Sequence, residues 1–211
     1  DGVLNRIDIQ DIYQPDGQFS GYVDSPPGVN EYLSAGKGLR LPDSNWSPDF
    51  PLSAQQAMHF FAFGKENQVD GVIAINLHVV EQLIAMIGPI YLPDYGQTVT
   101  SENLSTLART DRAQFFPGSQ QKRRFLQALF VQLKLILAET IATKPVDMIK
   151  LLLSEAKHKE IQAFALNSDL QKLFDQFEIS GRMTTNGDTQ YVYLVESNVG
   201  INKANRLVTR E

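Results

Sequence analysis

The chain has 211 residues, of which 43% are hydrophobic and 20% are charged, so its composition is that of a globular protein with a buried core. Its formal net charge of −5 argues against general nucleic-acid binding, which requires a basic face. No apolar run approaches the about 18 residues that a membrane span requires. The absence of cysteine excludes disulfides, thiolate metal sites and a cysteine nucleophile.

The first predicted elements are a strand over Val3 to Tyr13 and a long loop over residues 14–38. Asp1-Gly2 before the strand is a hairpin turn signal, so we expect at least one further strand to precede it in a longer protein. The loop is rich in Pro, Gly, Ser and Asp, and a short helix is predicted around Asn30 to Ser34.

The next part of the chain is predicted to form a helix, a strand, a second helix and a second strand. Ser53 would cap the first helix and Asn76 the second, and Gly88-Pro89 would end the second helix. A strand, a helix and a strand within about 25 residues are typical of a β-α-β unit with a parallel strand pair. The predicted bounds are Ala54 to Phe63, Val69 to Ile75, Leu77 to Ile87 and Ile90 to Leu92.

Helices dominate the predictions for the second half. They comprise a short helix to about Arg109 capped by Thr100 or Ser101, the longest helix from Ser119 to about Ala142, a helix over Val146 to Ala156, a strand over Ile161 to Leu166, a helix from Ser168 to Phe177 and a hairpin over Gly181 to Ser197. Together the elements predict a single α/β domain over residues 1–211. Its expected architecture is a three-layer α/β/α arrangement with a mixed central sheet.

A basic cluster stands out in this acidic chain. It consists of Arg109, Arg112, Lys122, Arg123 and Arg124, and its last members lie near the start of the longest predicted helix. Cations are unfavourable at a helix N-terminus, whereas anions bind well there. Cations gathered at that end would suit a phosphate-bearing ligand, which arginine can bind through two parallel hydrogen bonds. The alternative is a solvated face that acidic neighbours neutralise.

A proline-rich loop contains the only tryptophan, Trp46, beside Asn45 and close to Arg40, Asp43 and Asp49. Two interpretations of the indole remain open: a hydrophobic plug that anchors the loop, or a surface on which a ligand stacks. The three histidines share no metal-ligand spacing. A magnesium ion remains compatible with the loop, because one or two carboxylates and a substrate phosphate are enough to hold it.

Four segments spread over almost the whole chain carry a family resemblance: Asp43 to Ala54, Val69 to Ile75, Gly88 to Gly96 and Glu196 to Lys203. They resemble the bacterial and archaeal family known as domain of unknown function 4012. The resemblance implies that the chain is a fragment of a larger, membrane-anchored and extracytoplasmic protein of the cell envelope.

The order of elements from Leu39 to Leu137 also resembles the LytR-CpsA-Psr family. Members of that family resemble phosphotransferases that move glycopolymers from a polyprenyl-pyrophosphate carrier onto the cell wall. In them, arginines grip the pyrophosphate and an aspartate holds magnesium.

This second resemblance implies a site and two functions. The catalytic residues would be Arg40, Asp43, Arg109 and Arg112, the magnesium ligands Asp43 and Asp49, and the ligand-binding residues Asn45, Trp46, Lys122, Arg123 and Arg124. The expected ligand is a phosphorylated or polyprenyl-pyrophosphate-linked glycan, which the domain would bind and transfer. The alternative is a non-catalytic module for surface assembly or partner binding.

Overall fold

The computed structural model describes residues 8–108 and 121–183, and it describes the side chains of the second range from residue 124 onward. The predicted α/β class is confirmed, because the described chain combines helices with small antiparallel sheets. The helices in these ranges are α1 (Tyr13–Asp16), α2 (Val29–Tyr32), α3 (Phe50–Phe63), α4 (Leu77–Ile87), α5 (Leu104–Leu107), α6 (Gln121–Thr143), α7 (Pro145–Lys157) and α8 (Ser168–Gln176). The strands are β1 (Gly71–Ile75), β2 (Ile90–Leu92), β3 (Gln97–Val99) and β4 (Ile161–Ala165).

The chain divides into two compact units, each made of segments that are distant in sequence. The first unit draws its described residues from Asp1–Asp11, Ile73–Ala163 and Gln176–Ile179. The second unit draws them from Ile12–Val72, Phe164–Asp175 and Ser180–Glu211. The prediction of a single domain stays a prediction.

The core of the first unit forms where α4, β2, β3, α5 and α6 bring their apolar residues together. Helix α4 occupies its predicted bounds, and Gly88 follows it with a φ of 95°, a backbone conformation that favours glycine. A smaller cluster joins α4 to α7 through Val79, Leu83 and Met148. The main cluster consists of Ile84, Ile90, Leu92, Val99, Leu104, Leu129 and Leu133.

The predicted parallel pair between β1 and β2 is wrong. Strand β2 pairs with β3 in antiparallel register, with Ile90 opposite Val99 and Leu92 opposite Gln97. The connection is a 3₁₀ turn followed by Gly96 at a φ of 56°, so β2 meets its partner after closing only a short loop. Strand β3 was missed because it is short and carries the polar residues Gln97 and Thr98.

Strand β1 instead forms a two-stranded sheet with β4. The Asn76 amide donates to the Glu160 carbonyl over 2.9 Å, and the Leu166 amide donates to the Asp70 carbonyl over 2.8 Å. Because these residues flank the two strands in opposite order, β1 and β4 run antiparallel. Their partners are remote in sequence, and apolar alternation alone does not indicate which strands pair.

Two predictions near the start of the chain are corrected. Residues 8–12 form no strand, and Tyr13 begins a helical turn instead, in which the fixed φ of Pro15 is compatible with the first turn of a helix. Helix α3 begins at Phe50 and is capped by Asp49 rather than Ser53, since the Asp49 carboxylate accepts from the Leu52 amide over 3.2 Å. Residues 1–7 and most of the predicted hairpin lie outside the described residues.

Helix α6 confirms the longest predicted helix over the described residues. By length and composition, its segment Arg124–Thr143 is long and apolar enough to cross a membrane. The sequence shows no uninterrupted apolar run there, because polar residues are interspersed among the apolar ones. Leu129 and Leu133 are nevertheless buried in the main cluster, and the helix packs against β2 and α7. Through these contacts, α6 is a central packing element of the first unit.

Candidate ligand-binding cleft

An open cleft of about 690 Å³ lies in the first unit, between the turn that follows β2 and the N-terminal half of α6. The turn contributes one wall and the helix contributes the other. Its lining residues are Leu92, Pro93, Asp94 and Tyr95 from the turn, and Arg124, Gln127, Ala128, Val131 and Gln132 from α6.

The turn is held against the helix by the core beneath it and by one aromatic contact. Leu92 is buried at the end of β2, and Pro93 then starts the 3₁₀ turn. The rings of Tyr95 and Phe125 meet edge to face, with centroids 5.4 Å apart and planes at 85°. Such pairs contribute about 0.5–1.5 kcal/mol beyond their buried area. This contact therefore helps to hold the turn against α6.

The helix wall carries a cation, polar residues and apolar residues. Gln127 and Ala128 follow Arg124 by three and four residues, and Val131 follows them by four and three, so these residues lie on one face of α6. Arg124 is exposed and lies in the first turn, where backbone amides carry partial positive charge. The cleft lining thus includes a cation suited to an anion and apolar side chains suited to hydrocarbon.

The uncharged and acidic polar groups of the lining are of the kind that bind hydroxyl-rich molecules. Asp94 offers carboxylate oxygens that accept hydrogen bonds, while Gln127 and Gln132 each offer a donor and an acceptor. Sugar hydroxyls both donate and accept hydrogen bonds, so these carboxylate and amide groups can pair with them. The cleft can therefore accommodate phosphate, sugar and apolar groups together.

Arg124 is the one predicted site residue that this cleft contains among the described side chains. Lys122 and Arg123 belong to the same first turn of α6, but their side chains lie outside the described ones. Arg109 and Arg112 lie outside the described residues altogether. The predicted convergence of these cations on one pocket therefore stays a prediction.

Arg40 belongs to the second unit, where its guanidinium is already engaged. Its Nε donates to the Asp16 carboxylate over 3.1 Å, and its Nη2 donates to the backbone carbonyls of Asp16 and Phe19. The guanidinium also lies 5.0 Å from the centre of the Phe19 ring. In this state Arg40 ties the turn after α1 to the segment that precedes α3.

Asp43 lies half-buried near this ion pair, and two causes raise the pKa of its carboxyl above the ordinary value of 3.8. Burial is the larger cause because it disfavours the charged form, and the negative charge of Asp16 is the second. An acid with a raised pKa binds its proton more tightly in the folded state, so stability falls as the pH rises through that pKa.

Asp43→Asn should therefore stabilise the chain at neutral pH, where the penalty for the buried charge is fully present. We expect a gain of a few tenths of a kcal/mol, because solvent still screens a half-buried group. The gain should disappear as the pH falls toward 3.8, the ordinary value for this carboxyl. Urea unfolding at several pH values measures it, and Asp24→Asn in an exposed segment controls for the change in net charge. A gain independent of pH would contradict the assignment.

The other predicted residues of this loop have defined contacts in the second unit. Trp46 is half-buried and packs against the cluster of Val29, Leu39, Leu41 and Phe60, as a hydrophobic plug would. Asn45 is exposed. One oxygen of Asp49 caps α3, and the other accepts from the Met183 amide over 3.0 Å.

The described side chains form no group of three or more His, Cys, Asp or Glu residues that could hold a metal ion. Asp49 is a poor magnesium ligand in this arrangement, since both of its oxygens accept backbone hydrogen bonds. Asp43 fits better, because its carboxylate lies near a second acid, Asp16. The magnesium prediction stays a prediction and rests on Asp43.

Sequence reasoning missed the polar residues of the cleft, Asp94, Tyr95, Gln127 and Gln132. A signal for the first two was present, because Pro93-Asp94-Tyr95-Gly96 directly follows a predicted strand and has turn-forming composition. The two glutamines carried no signal, since glutamine on a helix is ordinary surface composition.

A family model described as "Protein of unknown function (DUF4012)" matches residues 2–112, just over half of the chain. The chain therefore belongs to that family, and its match includes the turn wall of the cleft but not the α6 wall. No curated protein and no solved structure matches the chain.

Proposed function

We propose that this chain is an extracytoplasmic domain of the cell envelope that binds a phosphorylated, lipid-linked glycan, such as one carried on polyprenyl pyrophosphate. The observation that carries the proposal is the chemistry of the cleft, where Arg124, polar side chains and an apolar wall lie together. A guanidinium suits phosphate, carboxylate and amide groups suit sugar hydroxyls, and Leu92 and Val131 suit a hydrocarbon tail.

The proposal includes the architecture of the LytR-CpsA-Psr family, three α/β/α layers around a mixed central sheet. Its support is the order of elements, in which α3, β1, α4, β2 and α6 follow one another as the sequence resemblance requires. The sheets among the described residues have two strands each, so this architecture requires further strands beyond them. An experimental structure of the whole chain tests it.

Arg124→Gln should weaken binding of a prenyl pyrophosphate about tenfold or more, because a charge-assisted hydrogen bond to phosphate contributes about 1.5–3 kcal/mol. The probe is farnesyl pyrophosphate, and calorimetric titration measures the dissociation constant. Lys134→Gln is the matched control, since it removes an exposed cation from the same helix outside the cleft. Equal affinity of Arg124→Gln and the unsubstituted chain would refute the proposed phosphate site.

Whether the bound glycan is transferred separates two candidate functions. Transfer requires arginines and a magnesium-holding aspartate at the pyrophosphate; when bound, the ion would neutralise charge on the phosphates. The engagement of Arg40 by Asp16 favours the second candidate, a non-catalytic module for surface assembly or partner binding. Incubation with a prenyl-pyrophosphate-linked sugar, magnesium and a cell-wall acceptor decides between them. Release of prenyl phosphate would support transfer, and binding without release would support the module.

A further inference from the structure

Helix α7 presents an apolar stripe to solvent. Val146, Ile149 and Leu153 are 60%, 57% and 53% exposed, and their spacings of three and four residues place them on one face. The other side of the helix packs into the first unit through the buried Met148 and the partly buried Leu151. Since more than half of each of these side chains faces solvent, the stripe is a surface that another apolar phase could cover.

Basic residues border this stripe although the chain as a whole is acidic. Lys150 follows Val146 by four residues and Lys157 follows Leu153 by four, so each lysine lies at the edge of the stripe. Both are exposed, and within the described residues neither forms an ion pair. An apolar face edged by lysines is the composition of a helix that lies in the surface of an anionic membrane.

Helix α8 provides an internal comparison, because it carries a similar stripe with a different border. Leu170 and Leu173 are 43% and 48% exposed. The cations beside this stripe are neutralised, since Lys172 pairs with Asp169 over 3.0 Å and Arg182 pairs with Asp175 over 3.2 Å. Exposed leucines therefore occur in both helices, but the two lysines beside the α7 stripe form no ion pair among the described residues, and the exposed acid of α7, Asp147, lies in its first turn.

We propose that the exposed face of α7 docks onto an anionic lipid surface, with Val146, Ile149 and Leu153 entering the boundary between headgroups and acyl chains. Lys150 and Lys157 would contact the lipid phosphates. The apolar side chains would leave water, and the two lysines would gain the attraction of the negative surface, which acts within about 10 Å at ordinary ionic strength. This surface is independent of the Arg124 cleft.

The test is co-sedimentation of the whole chain with vesicles. Vesicles of phosphatidylglycerol and phosphatidylcholine in equal parts should bind the chain, whereas vesicles of phosphatidylcholine alone should bind it much less. The double variant I149S/L153S should lower the partition coefficient about tenfold or more, because two apolar side chains no longer leave water. The matched double variant L170S/L173S, which alters α8 equally, should leave it unchanged.

The charge contribution is tested separately with K150Q and K157Q. Each should lower binding to the anionic vesicles about fivefold, and added salt should abolish most of that difference. All six sites substituted in α7 and α8 are exposed, so circular dichroism should show unchanged folding. Arg124→Gln should bind vesicles normally, which distinguishes this surface from the proposed carrier site.

Three outcomes would overturn the proposal. Binding to neutral and anionic vesicles alike would show that charge has no part in it. An equal loss in L170S/L173S would show that any exposed leucine pair acts in this way. Absence of vesicle binding, together with a dimer that I149S/L153S converts to monomer in light scattering, would assign the stripe to a second copy of the chain.

Discussion

Arg40→Ala should lower the free energy of unfolding by about 3 kcal/mol, which is typical of breaking a buried ion pair by removing one partner. The side chains of Arg40 and Asp16 are only 18% and 15% exposed, so the Asp16 carboxylate would lose its cationic partner in a poorly solvated place. Two backbone carbonyls would lose their donor as well. Urea unfolding of the substituted chain measures the loss.

Two further variants separate charge from geometry. Arg40→Lys keeps the positive charge but lacks the planar fork, so its stability should lie between those of Arg40→Ala and the unsubstituted chain. The double variant Arg40→Ala with Asp16→Ala should be less unstable than the sum of its parts, because no orphaned charge remains. If Arg40→Ala instead leaves stability unchanged and only abolishes pyrophosphate binding, Arg40 is a ligand residue as the family resemblance implies.

Gly71→Ala should cost about 2–3 kcal/mol, the scale of forced overpacking. A Cβ atom at this position would lie 2.3 Å from the Phe164 carbonyl oxygen and 3.2 Å from the Ala165 Cα, both backbone atoms of β4. Backbone cannot turn aside as a flexible side chain can, so β1 and β4 would have to move apart. Thermal and urea unfolding of the variant test this expectation.

The matched control for Gly71→Ala is Gly36→Ala. Nothing lies within 4 Å of a Cβ at Gly36, but its φ of 79° is unfavourable for alanine. That strain costs about 1–2 kcal/mol. A loss in Gly71→Ala no larger than the loss in Gly36→Ala would mean that the strand contact yields easily.

The elements that could be predicted are those with a local cause. Helix α4 has apolar residues at helical spacing and a Gly88-Pro89 stop, and its bounds were predicted without error. Helix α7 differs from its prediction by one residue at each end. In both cases the signal lies within a dozen neighbouring residues, which is the range over which helical periodicity is read.

The pairing of strands could not be predicted, because its causes are distant along the chain. The backbone of Phe164 packs closely against Gly71, where there is no Cβ to obstruct it. Phe164 lies 93 positions later in the sequence, and no residue near Gly71 indicates that partner. The cap of α3 shows the same limit on a smaller scale. Asp49 and Ser53 are both good capping residues, and the position of Pro51 in the first turn made the earlier one correct.

The candidate site was predicted only at Arg124. Charge clustering drew attention to the start of α6, but the opposite wall depends on how the turn after β2 packs against that helix. Arg40 was chosen for its residue type, and its pairing with Asp16, 24 positions earlier, was not visible in the sequence. Polar residues that meet across a fold therefore need coordinates before they can be grouped.

The start of α3 depends on residues that are synthesised much later. The Phe50 amide donates to the Gly181 carbonyl over 3.1 Å, and the second Asp49 oxygen binds the Met183 amide. As the nascent polypeptide leaves the ribosome, roughly 5–20 residues emerge each second. These partners therefore emerge several seconds after the helix, and until then its first turn has only local hydrogen bonds, such as those from the Leu52 amide to the Asp49 carboxylate and from the Ser53 hydroxyl to the Ser47 carbonyl.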